Sequence, residues 1–333
     1  MRALLTAVLA CTTATGLLAQ GPALAPRALL EQGNAALQSG ETDKALSILT
    51  PMLNPAHPSG EAREQAKAHN LACRIFYILE RWDRAAGECE TAVRLDGVNS
   101  DYHLWLGRAL GERASRASFL SAYSLGKRVR GEFEEAVRLD PRNLEALADL
   151  GDFYYQAPGI VGGGQDKAEN IARQMEPLDA ARAMELRAKI AEDHKDLGTA
   201  ERLLKQAVSV GIHPAFQWMG LAGFYRRHQR WNEMEAAVES GFHAAERDHK
   251  ANVANFHGAN ILISSGRNPQ LATKLLENYL GGAVKTEEAP AFIAHLKLAQ
   301  LKEQAGDTAF AQRERAAALA LAHDYHPAQA PRH

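Results

Sequence analysis

The sequence predicts an all-α chain of stacked helical hairpins, and three observations predict it. Between Phe133 and Tyr155, two apolar stripes flank a turn at Asp140-Pro141-Arg142-Asn143. The first stripe is Phe133, Ala136, Val137 and Leu139. The second is Leu144, Leu147, Leu150, Gly151 and Tyr154, at the i, i+3, i+4, i+7 spacing of a helix face. Pro141 ends the first helix, because it has no backbone N–H and restricts the residue before it. Asn143 is placed to cap the second. Next, Glu90–Asp96 (ETAVRLD) nearly recurs as Glu134–Asp140 (EEAVRLD), the mark of an internal repeat. Finally, no segment shows the alternation of a half-buried strand.

The chain has 333 residues, 46% of them hydrophobic, and a formal net charge of −2. A single core rarely grows to this size, so several domains or a repeat array are expected. The near-neutral charge, with no long run of one sign, gives no case for nucleic acid or for an acidic membrane surface. No segment after the N-terminus has the apolar length of a membrane span.

Residues 1–19 read as a secretory signal, with Arg2 as the lone charge, an apolar run from Leu4 to Ala10, and a small residue at Ala19 for cleavage. The expectation is a periplasmic or secreted protein. Val8-Leu9-Ala10-Cys11 also has the look of a lipobox, but little chain precedes Cys11. Residues 327–333 are expected to be a disordered tail. Residues 20–326 then form the repeat domain.

The junction from Phe133 to Tyr155 closely resembles the boundary between two tetratricopeptide repeats (TPR). That family places a Leu-Gly pair and an aromatic on the first helix of a unit, small residues and a Phe on the second, and a Pro after it, with a period of about 34 residues. The resemblance implies a TPR-like α-solenoid of about eight hairpins, a right-handed superhelix with a concave groove. In the family, the small anchor residues of a unit's two helices lie twelve apart. Here the pairs are Gly33/Ala45, Cys73/Ala85, Gly107/Val129, Gly151/Ala168, Ala188/Ala200, Ala222/Met234, Gly258/Ala272 and Ala299/Ala311. The third and fourth pairs are stretched, so insertions are expected near Arg113–Leu125 and in Ala157–Gly164. Phe119, Leu120, Tyr123 and Leu125 give the first insertion apolar content, and it is expected to lengthen or follow the first helix of its unit and to pack back on the solenoid. An exposed docking patch is the alternative.

No catalytic motif emerges. Gly159 and Gly164 have phosphate-loop spacing, but Gln165 follows, no Ser or Thr accompanies Lys167, and the flanks are helical. The segment reads as a mobile or tightly turned loop between two helices, and PGIVGGG resembles a loop in a subset of bacterial TPR proteins. The thirteen histidines show no metal-site spacing. A non-enzyme with no cofactor or metal is expected.

In the family, peptides bind the concave face of the first helices. The matching positions here are Asn34, Lys67, Asn70, Arg74, Tyr77, Arg108 and Tyr155, whose Asn and Arg side chains suit an extended peptide and its carboxylates. The family's carboxylate clamp for a chaperone C-terminus is not matched: only Asn34 fits, while Leu30, Leu71 and Asp101 stand at three other clamp positions. The resemblance therefore implies a scaffold for a protein or peptide partner. The alternative is an accessory or carrier protein for a small molecule or cell-wall fragment, held in a closed apolar pocket.

Cys73 and Cys89 lie symmetrically about the expected turn at Arg81-Trp82, and so face each other across a hairpin. A disulfide there suits an oxidising compartment. Two reduced cysteines in the core are the other reading.

Overall fold

The computed structural model describes residues 25–54, 60–283 and 285–325. The expected signal segment and tail lie outside the described residues. Among the described residues, sixteen α-helices form eight antiparallel hairpins. The first four pairs are α1 (Pro26–Gln38) and α2 (Thr42–Leu53), α3 (Ala62–Ile78) and α4 (Trp82–Leu95), α5 (Ser100–Arg116) and α6 (Phe119–Leu139), and α7 (Leu144–Gln156) and α8 (Gln165–Met175). The last four are α9 (Ala180–Asp193) and α10 (Leu197–Val210), α11 (Pro214–Arg227) and α12 (Trp231–Arg247), α13 (Val253–Ser265) and α14 (Pro269–Gly281), and α15 (Ala291–Gln304) and α16 (Thr308–Leu321). Each hairpin packs against the next, so every apolar face left open by one is covered by its neighbour.

All sixteen anchor residues are buried, as close helix approach requires. A Cβ at Gly107 would overlap the Phe133 ring, and one at Gly151 would stand 2.6 Å from Leu186 Cδ2. Asn143 caps α7 as expected, its Oδ1 accepting from the Ala146 N–H at 3.1 Å. Six hairpin turns share one C-cap: a residue with positive φ follows the first helix, at Gly40, Glu80, Lys195, Gln229, Gly266 and Gly306. The next N–H then reaches back five residues, as in Arg81 N–H to Phe76 O at 2.9 Å, which satisfies a helix-end carbonyl. Cys73 and Cys89 form a disulfide across α3 and α4, with Cα atoms 5.3 Å apart.

The first insertion lengthens α5 and α6 to 17 and 21 residues. Leu125 packs against the core, but the tip does not fold back: Phe119 is 76% exposed and Leu120 80%. The expectation of packing fails there because the tip projects beyond the neighbouring hairpins, where no face remains to receive it. The second insertion is a fixed turn. Val161 is buried beside Gly126 of α6, Gly162 has φ +101°, and the Gly164 N–H donates to Tyr154 O at 2.8 Å. Lys167 Nζ donates to Gly162 O at 2.8 Å, so the lysine that suggested phosphate closes the loop instead.

The solenoid closes on itself. The last hairpin shares one apolar cluster with the first ones, contributing Phe292, Ala318, Ala322 and Tyr325, while Ala294, Leu298 and Leu301 belong to the second cluster. Polar contacts seal the seam. Thr42 Oγ1 donates to Leu321 O at 2.6 Å, the Tyr325 hydroxyl to Glu80 at 2.9 Å, and Arg81 pairs with Asp324 at 3.0 Å. The Lys285 N–H donates to Gln38 O at 2.8 Å. The expected groove is therefore the inside of a ring.

Candidate functional site

First helices α1, α3, α5, α7, α9, α11 and α13 stand side by side and line the inner face. Arg74, Tyr77 and Arg108 meet there around Trp105. The Arg74 and Arg108 guanidiniums lie 5.4 and 4.7 Å from the Trp105 ring centre, and Tyr77 meets that ring edge-on at 5.6 Å. Trp105 escaped the family mapping because it stands two residues before its anchor, at a place where the family's motif names no ligand contact.

Arg74 is already engaged. The connector between α14 and α15 makes a tight turn, with Thr286 and Ala289 bridged and Glu287 and Glu288 at its tip. Buried Tyr279 fixes that turn through its hydroxyl, which donates to Ala289 O. Glu287 Oε1 accepts from Arg74 Nε at 2.7 Å and also from Nη2.

Ion pairs tie α5 to α7, α7 to α9 and α9 to α11. Arg108 pairs with Asp149 at 2.5 Å and Glu145 at 3.1 Å, Arg182 with Glu145 at 2.7 Å, Lys189 with Asp152 at 2.6 Å, and Arg227 with Glu192 at 2.8 Å. Burial works against Arg108's charge, but Asp149 and Glu145 hold the guanidinium firmly protonated. Burial likewise opposes Glu145's charge, but Arg182 and Arg108 bring its carboxyl below the ordinary value. Glu185 is compensated more weakly. Burial pushes it up to about 7, against the weaker pull of Lys189 and Arg182. Glu288 reaches solvent, but the groups crowding it and the nearby Glu145 carboxylate also raise its carboxyl. Burial, then Glu112, pushes the Tyr77 phenol up to about 12.

On an open concave groove, Arg74 and Asn70 would stand accessible to solvent. Instead the Arg74 side chain is 23% exposed and Asn70 is 6% exposed, and among the described residues Asn70 Nδ2 has no partner. For Arg74 the cause is ring closure, which brings Glu287 of the α14–α15 connector onto it. Lys67 is exposed and Asn34 half-buried, and no hydrogen bond or ion pair joins either to the cluster among the described residues. Tyr155 lies further along the inner face, near Asp193 and Glu192, and burial raises its phenol first of all. Glu287, Glu288, Arg182 and Glu185 carried no sequence signal as site residues.

Among the described residues, no group of His, Cys, Asp or Glu is arranged to hold a metal ion. Two open surface depressions, of about 590 and 490 Å³, lie elsewhere, beside Ile212–Pro214 and Gly198–Arg202.

Several solved structures are similar to the chain. TTC0263, a thermophilic TPR protein of Thermus thermophilus, matches 72% of this chain and 100% of its own at 18% identity, with a TM-score of 0.45. The quorum sensor NprR of B. thuringiensis, in its apo form, matches 89% and 87% at 11% identity, with a TM-score of 0.44. The human IFIT1 dimer with PPP-AAAA matches 88% and 70% at 16% identity, with a TM-score of 0.37. No family model matches the chain, and no curated protein matches it. The chain is an all-α, TPR-like helical-repeat protein by its own eight stacked hairpins.

Proposed function

We propose that the chain is a non-enzymatic scaffold that holds an extended protein segment along its inner face, with a ligand carboxylate seated on Arg74. One observation carries this reading: a non-helical stretch of the chain, Lys285–Pro290, already lies there and places a carboxylate on Arg74. Arg, Trp and Tyr side chains on adjacent first helices suit backbone and carboxylate recognition. The ladder of ion pairs between inner helices gives this face a fixed shape, which lowers the ordering cost of binding. Export through residues 1–19 belongs to the same proposal, and the buried Cys73–Cys89 disulfide is consistent with an oxidising compartment.

Affinity capture from a cell-envelope extract tests the reading. The wild-type chain should retain a protein that the Arg74→Ala/Arg108→Ala variant does not. Equal capture by both, with equal helicity, would remove the inner face from the account.

A further inference from the structure

We infer that the depression beside the α10–α11 connector is a docking site for an acidic peptide segment of a partner protein. It lies among the connectors between hairpins, and the proposal is independent of the inner-face site. Two such connectors build it. Pro214 opens α11 with His213 before it, and Asp248 ends α12 and starts a single 3₁₀ turn, His249–Ala251. The His213 ring and the Asp248 carboxylate, 35 positions apart, hydrogen-bond through Nδ1 and Oδ2. Asp248 Oδ1 also accepts from the Lys250 N–H at 3.1 Å. Both carboxylate oxygens are thus engaged in holding the two connectors in place. Between them lies a hollow of about 590 Å³, with Ile212, His213, Pro214, Arg247, His249 and Lys250 in its lining.

Unspent charge names the occupant. Arg247, His249 and Lys250 are exposed, and among the described residues no hydrogen bond or ion pair engages any of their side chains. Exposed arginines elsewhere, such as Arg116, Arg138 and Arg227, are each held by a carboxylate. Asp248 is the one carboxylate among the described residues of the lining. Its hydrogen bond from His213, opposed by burial, holds its carboxyl below the ordinary value, and Lys250 adds a smaller pull. Glu246, the preceding acid on α12, pairs with His243. Two cations and an imidazole therefore face one hollow with donors to spare, and carboxylates are the groups they suit.

The surroundings favour a peptide over other anions. The hollow is open, whereas a small-molecule site buries most of its ligand. Its lip carries Ile212 at 83% and Val210 at 50% exposure, which gives an apolar side chain a place beside the carboxylates. Cations gathered at one hollow do not form the stripe that a nucleic-acid backbone follows. The chain has no acidic segment of its own to spare for the site: residues 1–24, 55–59, 284 and 326–333 contain no Asp or Glu.

Fluorescence anisotropy with the full chain tests this. The probe is a fluorescein-labelled peptide, Asp-Glu-Leu-Asp-Glu, and the control is Asn-Gln-Leu-Asn-Gln, both amidated at the C-terminus. The wild type should bind the acidic peptide at least about tenfold more tightly than the control, and high salt should weaken that binding. Arg247→Ala/Lys250→Ala should lose at least about tenfold in affinity with an unchanged melting midpoint, since neither side chain is engaged in the folded chain. Ile212→Ser should weaken binding in the same direction. Arg74→Ala/Arg108→Ala should leave it unchanged, which separates this site from the inner face. No binding by the wild type, equal binding of the control peptide, or equal binding by the Arg247→Ala/Lys250→Ala variant would overturn the proposal. So would binding that Arg74→Ala/Arg108→Ala removes and Arg247→Ala/Lys250→Ala retains, because the acidic peptide would then sit on the inner face. A wild-type dimer that Arg247→Ala/Lys250→Ala abolishes, with no peptide bound, would overturn it in favour of a second copy.

Discussion

Arg74 on α3 and Glu287 in the α14–α15 connector are 213 positions apart and form one ion pair across the ring. Their side chains are 23% and 18% exposed, so the pair is neither a free surface contact nor a dry core contact. It links the place where a ligand carboxylate is proposed to sit with the closure of the solenoid.

A double-mutant cycle on Arg74→Ala and Glu287→Ala, read by urea denaturation, should give a coupling of about 1–2 kcal/mol. That exceeds the few tenths typical of exposed pairs, because both groups are largely desolvated. A coupling of a few tenths or less would mean that the pair closes nothing.

Glu185 supplies a pH dependence. Its folded-state pKa of about 7 lies above the usual carboxyl value, so the folded chain holds this proton more tightly than the unfolded chain. Stability is therefore lost as pH rises from about 4 to about 7, and the penalty stays constant above that. Glu185→Gln should stabilise the protein by about 1–2 kcal/mol near pH ~8 and by nothing near pH ~4. A gain independent of pH would place the effect elsewhere.

Lys195 and Gln229 occupy the positive-φ turn position that Gly40, Gly266 and Gly306 fill in other hairpins. Both are exposed, and a Cβ is disfavoured in this conformation. Lys195→Gly and Gln229→Gly should each raise stability by about 0.5–1 kcal/mol in thermal or urea melts. Destabilisation by either would show that the side chain contributes more than the turn strain costs.

Cys73→Ala/Cys89→Ala removes a cross-link between residues 16 apart and should cost about 3 kcal/mol, chiefly by freeing the unfolded chain. Thiol titration of denatured, unreduced protein should find neither cysteine free. Two free thiols would contradict the bond.

The hairpins were legible because their anchors obey local rules. Small residues such as Gly107 and Ala188 are needed wherever helices approach closely, and the periodic leucines follow from helix geometry. The closure was not legible. Thr42, Glu80 and Arg81 look like solvated polar residues, and their partners Leu321, Tyr325 and Asp324 lie at the far end of the chain. Nothing in the local pattern pairs them. The inner face was read in part: Arg74, Tyr77 and Arg108 fall at family positions. Glu287 and Glu288 come from a connector between helices, which repeat periodicity does not address. Asn70 was misread because it lies among the buried residues of α3, at 6% exposure, and not on its open face.

The most direct test of the inner-face account is the binding of a fluorescein-labelled peptide copying Lys285–Pro290, followed by anisotropy. In the wild type, Glu287 holds Arg74, and the peptide competes with a tethered carboxylate. Glu287→Ala should bind the peptide at least about tenfold more tightly than the wild type, and adding Arg74→Ala should remove that gain. Equal affinity for the wild type and Glu287→Ala, or a gain that survives Arg74→Ala, would contradict the claim that Arg74 receives a ligand carboxylate.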